Sequence, residues 1–512
     1  MNGKKKEFGD YQTPLEFAQR VCDYLKGNKK LKPDLIIEPT CGKGNFIKSS
    51  LVFEAKEIIG IEMNADYCKY CEDNIKDKRV KIINEDFFSY CLTNTTNLKE
   101  NVLILGNPPW VTNSTLSTLN SNNTPIKTNF KGLKGIEAIT GSSNFDICEY
   151  MINKIIEIQN KTDNVIAMLC KTSVARNIFK EIKRRNIYFS EFEVLEFDSS
   201  KIFGISASAC LLYIKLSKKY TSLNSYKVYD FDNDLKEITT VSFIEGNLCN
   251  NSNDNDFDFN GHCEFEWRQG VKHDCSKIME LNFENGRYIN GYNNEVNIED
   301  ILVFPLIKSS MFKTPVLNSF KKYVIVTQHK IKEDTAYLSK LAPKAWKYLN
   351  DNKELFENRK SSIYKRAPKF SMFGIGDYSY SQFKVGVSGF YKKPMFSILY
   401  SYDEKPVMTD DTSYFICFKD YESAYVAMLI LNSGKVQNFL RSIAFLDSKR
   451  PYTKKVLERF SFKKALNFIS LKELTETENQ LNIKQMISNK MLETFKNNSE
   501  LNKSKQLSFN NV

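Results

Sequence analysis

Between Leu35 and Ser217 short apolar runs recur, each cut off by a polar, Gly or Pro cluster: LIIEP, EIIGIEM, VKIINED, VLILGNPP, NVIAMLCKTS, FEVLEFD and ASACLLYIKLS. Their length and β-branched content predict a strand in each. Helical patterns lie between them, and FDICEYMINKIIEIQ carries apolar residues at helical spacing. This alternation predicts an α/β domain whose sheet is mostly parallel and covered by helices on both faces. Such sheets bind ligands beyond the carboxyl ends of their strands.

One of those ends is unusual. In LILGNPPWVTN the apolar run meets Gly106, Asn107, Pro108, Pro109 and Trp110. Proline neither donates to a ladder nor enters a helix interior, so the strand is stopped there and Asn107 stands at its tip. The polar stretch 111–143 is too long for an ordinary connection and reads as a lid or a disordered segment. NLCNNSNDNDFDFNG, 247–261, reads as a linker between a first domain, 1–246, and a second of mixed α and β elements, 262–495, with 496–512 as a flexible tail.

At 512 residues the chain exceeds a single core, and Lys plus Arg outnumber Asp plus Glu by 73 to 61, a formal charge of +12, alongside 26 Tyr and 37 Phe. A basic, aromatic-rich surface suits a polyanion whose bases stack. MNGKKKEFGDYQTP lacks an apolar leader and no apolar run approaches the ~18 residues of a membrane span, which predicts a cytoplasmic protein without membrane contact. In that setting the 12 cysteines read as reduced thiols. Cys68 and Cys71 form one CxxC in a helical pattern, expected as one buried and one half-buried thiol. His262 and His273 lie beside Cys263 and Cys275, but neither CxxC nor HxxxH spacing is present, and no metal site is expected.

Three further strand ends carry chemistry. LIIEPTCGKGNF is a strand, a Gly turn and a helix start, in which Gly42 and Gly44 admit a ligand close to the backbone and Glu38 precedes the turn. Ile47 occupies the third glycine position of a dinucleotide fingerprint, which argues against a nicotinamide nucleotide. Glu62 ends GIEMN as an acceptor for both ribose hydroxyls, and NEDFF pairs Asp86, an acceptor for an adenine amino group, with the aromatic face of Phe87. Together they describe a nucleoside pocket without phosphate groups.

With YQTPLEF, EPTCGKGNF, GIEMN, NEDFF and LGNPPW in this order, the chain resembles the gamma class of DNA adenine-N6 methyltransferases, and among them the type II restriction-modification methylases, over residues 8–217 and more loosely beyond. The resemblance implies a Rossmann-like, mixed seven-stranded sheet with a C-terminal α+β target-recognition domain, S-adenosylmethionine as cofactor, double-stranded DNA as substrate, and a prokaryotic cytoplasm. It implies that Thr13 closes over the methionine end, that Glu38 and the turn through Gly42 hold the methionine amino and carboxylate groups, and that Glu62 binds the ribose and Asp86 with Phe87 the adenine. Tyr11, Pro39, Cys41, Met63 and Asn107 complete the implied cofactor site. The first acid of the turn is often Asp in this family and here is Glu38.

The exocyclic amine of adenine is a poor nucleophile, because its lone pair is delocalised into the ring. The side-chain oxygen of Asn107 and the carbonyl of Pro108 are acceptors able to draw its N–H bonds out of conjugation, and Pro108 and Pro109 fix that backbone without adding donors. The target is buried in a duplex, so the base must be rotated out. Trp110 offers a stacking surface, and the resemblance adds Phe203, in SSKIFGISASA, as the second face of a sandwich. It favours adenine over cytosine, since cytosine-amine enzymes more often carry Ser at the position of Asn107.

Recognition of the surrounding sequence is expected beyond the linker, where Arg268, Lys272, Lys308, Lys313, Lys365, Arg366, Lys369 and Lys384 stand among aromatics and glycines. Rival readings are a methyltransferase acting on protein glutamine or ribosomal RNA, a non-catalytic DNA-binding protein on a methyltransferase scaffold, and a combined methylase and endonuclease. Any restriction endonuclease is expected as a separately encoded partner.

Overall fold

The computed structural model describes residues 12–93, 100–111, 146–221, 223–250, 258–401, 403, 405–498 and 501. Tyr11 and, after Val111, the expected lid lie outside them. The chain divides into two compact units, Met1–Asn251 and Ser252–Val512.

In the first unit each of the apolar runs contains a strand: β1 (Leu35–Glu38), β2 (Glu57–Glu62), β3 (Val80–Asn84), β4 (Val102–Gly106), β5 (Val165–Lys171), β6 (Phe189–Phe197) and β7 (Ala209–Leu216). α1 (Leu15–Gly27) precedes them, and between them lie α2 (Asn45–Ser50), α3 (Ala65–Asn74), α4 (Phe87–Thr93), α5 (Ile147–Ile158), α6 (Thr172–Arg184) and α7 (Ser199–Phe203). Among the described residues the sheet has ten strands and not seven. β8 (Ser225–Asp230), β9 (Lys236–Ile244) and β10 (Asn247–Asn250) extend it in the order β10-β9-β8-β6-β7-β5-β4-β1-β2-β3. These added strands mix polar and half-buried positions, so they lack the apolar runs by which the others are found. β10 also corrects the linker: Leu248 and Cys249 are buried and pair with Phe243 and Ser242.

Pairing is parallel from β3 through β2, β1 and β4 to β5, then antiparallel from β5 to β7 and β7 to β6. β4 has all five residues buried, as a central parallel strand covered on both faces requires. α1 turns Phe17, Ala18, Val21, Cys22 and Leu25 inward, and each large apolar side chain of this kind contributes roughly 1.5–3 kcal/mol. α3 and α5 begin on side-chain caps: Asn64 accepts from the N–H of Asp66 and Tyr67, and Asp146 from that of Cys148.

Among its described residues the second unit holds two five-stranded sheets. One orders β11 (Arg268–Gln269), β20 (Ser413–Phe418), β17 (Phe383–Ser388), β18 (Ser397–Leu399) and β15 (Val316–Leu317). The other orders β13 (Arg287–Asn290), β12 (Glu280–Glu284), β16 (Lys322–Ile325), β14 (Val303–Ile307) and β19 (Met408–Thr409). Both are antiparallel except for β15–β18 and β14–β19. The helix Tyr421–Asn432 is buried from Ser423 to Leu431, and Tyr425 donates to the fully buried Glu478 at 2.6 Å. The helix Asn489–Lys496 carries order into the first residue of the expected tail.

Gly44 caps α2 at φ 73°, and a Cβ there would meet Ile75 Cδ1 at 2.7 Å and Cys71 Sγ at 2.9 Å. Gly44→Ala is expected to destabilise the fold by about 1–3 kcal/mol, read from urea unfolding. An unchanged midpoint overturns this account of the turn.

Candidate active site

Parallel pairing of β1 with β2 and β4 brings the ends of three strands side by side, and with them Glu38, Glu62 and Asn107. β4 approaches β1 so closely that a Cβ on Gly106 would lie 3.3 Å from Glu38 Cγ. Asn107 Nδ2 donates to Thr13 Oγ1 at 3.2 Å, and Asn107 Oδ1 is buried. Thr13 is fixed in turn, its carbonyl accepting from Asn45 Nδ2 at 2.7 Å. Gln12 Oε1 accepts from the N–H of Lys43 at 3.0 Å, so the segment ahead of α1 is tied to both the Gly turn and the Asn-Pro-Pro-Trp turn. Pro108 is buried and Pro109 half-buried.

Trp110 is buried, and its indole N–H donates to the Leu169 carbonyl at 3.3 Å. Phe203, half-buried at the end of α7, meets it edge to face, with ring centroids 5.4 Å apart at 70°. The two residues are brought together but do not form parallel plates. A purine between them needs ring planes roughly 7 Å apart, two contact distances. The edge-to-face contact is the preferred arrangement of two aromatic rings meeting directly.

Glu38 is 3% exposed, its Oε2 has no hydrogen-bond partner among the described residues, and its carboxyl accepts from the backbone of Ile47. Burial, with Cys71 and the Glu62 carboxylate adding to it, pushes the Glu38 carboxyl well above the usual carboxylate range. Glu62 accepts from the N–H of Gly42 at 2.9 Å and of Asn64 at 2.8 Å. Asp86 is exposed and takes the N–H of Ser89 at 3.1 Å, so it caps α4, while Phe87 beside it is buried. Pro39 and Cys41 are buried and Met63 is 52% exposed. Cys68 and Cys71 are both buried, where one half-buried thiol was expected, and they donate to the carbonyls of Glu62 and Gly42, each at 3.3 Å. The CxxC therefore braces the turn.

Sequence reasoning missed Gln12 and Asn45, although both lie inside the quoted motifs. It also missed Lys171, a cation at the end of an otherwise buried strand.

No family model matches the chain. A type II methyltransferase of Nostoc sp., M.NspV, is 38% identical over 475 residues, covering 88% of this chain and 96% of its own length. The chain belongs to the type II methyltransferases. The modification methylase CviBIII of Paramecium bursaria Chlorella virus NC1A is 26% identical over 240 residues, covering 45% of this chain and 56% of its own. Among solved structures, the type IIL restriction-modification enzyme MmeI in complex with DNA superposes with a TM-score of 0.55 at 11% identity, over 94% of this chain and 75% of that one, a likeness of fold.

In the second unit of this methyltransferase, several expected DNA-binding cations are engaged within the protein. Lys384 is 1% exposed and donates to the carbonyls of Ser381 and Val407, both at 2.8 Å, so it is not a surface cation. It sits on β17, a central strand whose residues from Lys384 to Ser388 are all buried, so neither face offers it solvent. Lys308 is half-buried and donates to both oxygens of Glu280, at 2.7 and 2.9 Å. Arg268 pairs with Glu266 and lies 4.4 Å over the Tyr378 ring, and Lys272 is 3.1 Å from Asp274. Lys313, Lys365, Arg366 and Lys369 are exposed and make no ion pair among the described residues. Segments distant in the chain converge here: Gln269 and Arg450 both donate to the Asp411 carbonyl, and Lys272 lies 3.9 Å from the Asp411 carboxylate. Among the described residues, no group of three or more His, Cys, Asp or Glu side chains is arranged to hold a metal, and no helix is long and apolar enough to cross a membrane.

Burial pushes the Lys384 ammonium down to about 8 from its ordinary 10.5. Between those values the unfolded chain binds the proton more tightly, so the stability attributable to Lys384 rises with pH across the window and is constant below it. Relative to Lys384→Met, the wild-type protein is expected to gain up to about 3 kcal/mol as pH goes from 8 to 10.5, measured by urea unfolding. A difference independent of pH overturns the assignment.

Proposed function

We propose that this type II methyltransferase transfers a methyl group from S-adenosylmethionine to the exocyclic amine of an adenine rotated out of double-stranded DNA. The observation that carries the reading is the Asn107 amide. Its nitrogen donates to Thr13 Oγ1, which fixes the amide plane, and its side-chain oxygen is buried at the tip of a buried strand. Asn107 Oδ1 and the Pro108 carbonyl accept from the two amine hydrogens, which returns the lone pair to nitrogen. The N–C bond then forms as the S–C bond breaks, and the amine proton leaves to solvent.

Bound S-adenosylmethionine supplies an electrophilic methyl on a cationic sulfur. The residues present fit it: Glu38 offers a buried carboxylate oxygen without a partner among the described residues, and an ammonium placed there offsets the burial of that charge. Glu62 is the acceptor for the ribose and Phe87 the face for the adenine, with Thr13 and Gln12 covering the Gly turn. Trp110 and Phe203 flank the rotated base once their rings part.

Sequence recognition is assigned to the second unit, with Lys313, Lys365, Arg366 and Lys369 on phosphates and the Gln269, Lys272, Asp411 and Arg450 group at base edges. A double change of Lys365→Ala and Arg366→Ala is expected to weaken DNA binding and to lower the slope of log K against log salt by about 1–2. An unchanged slope removes these two from the interface.

The direct test incubates the protein with labelled S-adenosylmethionine and unmethylated genomic DNA, then digests to nucleosides. Label is expected in N6-methyladenosine's deoxy form. Asn107→Ala is expected to lose at least ~100-fold in turnover while cofactor affinity stays within a few-fold. Label in cytosine alone overturns the base, and label in RNA or protein overturns the function.

A further inference from the structure

The far side of the Asn107–Trp110 turn is held by a charged pair that the chemistry above does not use. Lys171, the last residue of β5, donates from Nζ to the Trp110 carbonyl at 3.3 Å and lies 2.6 Å from Asp146 Oδ2. Asp146 is 8% exposed and caps α5 through its other oxygen, which accepts from the N–H of Cys148 at 3.1 Å. One residue further along, the Val111 carbonyl accepts from the N–H of Ile147 at 3.0 Å. The turn is thus pinned at three points, the indole by the Leu169 carbonyl, the Trp110 carbonyl by Lys171 and the Val111 carbonyl by α5.

Folding alone does not call for charge at this place. Asn at 146 would cap Cys148 as well, and a neutral pair of similar volume is often as stable as a buried ion pair or more so. Burial raises the Asp146 carboxyl above its ordinary range, and the Lys171 ammonium beside it opposes that rise. What the ammonium adds is a strong directional donor to one carbonyl, two residues from the Pro108 acceptor.

We propose that Lys171, held by Asp146, is a positioning residue for methyl transfer, setting the tilt of the Trp110 peptide and through it the direction of the Pro108 carbonyl and the indole. The proposal rests on the reading of Asn107 and Pro108 as the amine acceptors. Lys171 acts through the turn and touches neither the methyl nor the amine.

Lys171→Met strands a buried carboxylate, so the informative variant is the double change Lys171→Met with Asp146→Asn, which removes both charges and keeps the cap. It is expected to melt close to the wild-type protein and to bind S-adenosylmethionine equally by calorimetry. On unmethylated genomic DNA its kcat is expected to fall on the order of 10- to 100-fold with KM changed less than about threefold. Lys171→Arg, whose guanidinium bridges the same carbonyl and carboxylate, is expected to recover most of kcat. Wild-type kcat in the double variant overturns the proposal, as does a loss confined to KM or a kcat that Lys171→Arg fails to recover. Asn107→Ala is assayed beside them. Inactive Asn107→Ala with a fully active double variant sinks the Lys171 role alone, and near-normal Asn107→Ala removes the acceptor reading and the proposal with it.

Discussion

The close parallel packing of β4 against β1 sets the conditions for the rest of the site. β4 is buried along its whole length, which leaves its tip as the place where polar groups emerge. At that tip Gly106 comes so near Glu38 that any side chain would press on the carboxylate stem. Glu38 is itself buried there, and one of its oxygens has no hydrogen-bond partner among the described residues. A desolvated carboxylate of this kind is costly in isolation and is stabilised by a cationic group brought to it. The two prolines then keep the chain from continuing the ladder or starting a helix, so Asn107 is displayed on a backbone with little freedom.

Around this point the protein places polar side chains that hold one another. Thr13 joins Asn107 to Asn45, Gln12 reaches the Gly turn, Cys68 and Cys71 brace the carbonyls of that turn and of β2, and Lys171 with Asp146 grips the turn from behind. These hydrogen bonds are individually worth about 1 kcal/mol, too little to account for the fold. Their effect is on direction: the bonds of Thr13 and Lys171 hold the Asn-Pro-Pro-Trp turn, those of Gln12, Cys68 and Cys71 hold the Gly turn and the end of β2 beside it, and drawing the amine hydrogens of a weak nucleophile out of conjugation depends on direction.

The second unit illustrates how charge counted along a chain differs from charge offered to a ligand. Lys384 is enclosed by carbonyls, Lys308 is spent on Glu280, and Arg268 on Glu266 and an aromatic face. Lys313, Lys365, Arg366 and Lys369 remain exposed. A formal excess of +12 is therefore carried by fewer and differently placed cations than the motif-rich segments imply.

The strands of the first unit and the Asn-Pro-Pro-Trp turn were legible in the residues themselves, because apolar runs, proline stops and Gly turns act over a few neighbours. Family membership was legible for the same reason, since its motifs are short and keep their order. The three extra strands, the edge-to-face contact of Trp110 with Phe203, the burial of Lys384 and the grip of Lys171 were not. Each depends on which residue from a distant segment lies opposite, for example Leu169 under Trp110 or Val407 above Lys384. A lysine at a strand end or in a basic stretch carries the same local signal whether it meets solvent, a carboxylate or a carbonyl, and only the packing of the sheets decides among them.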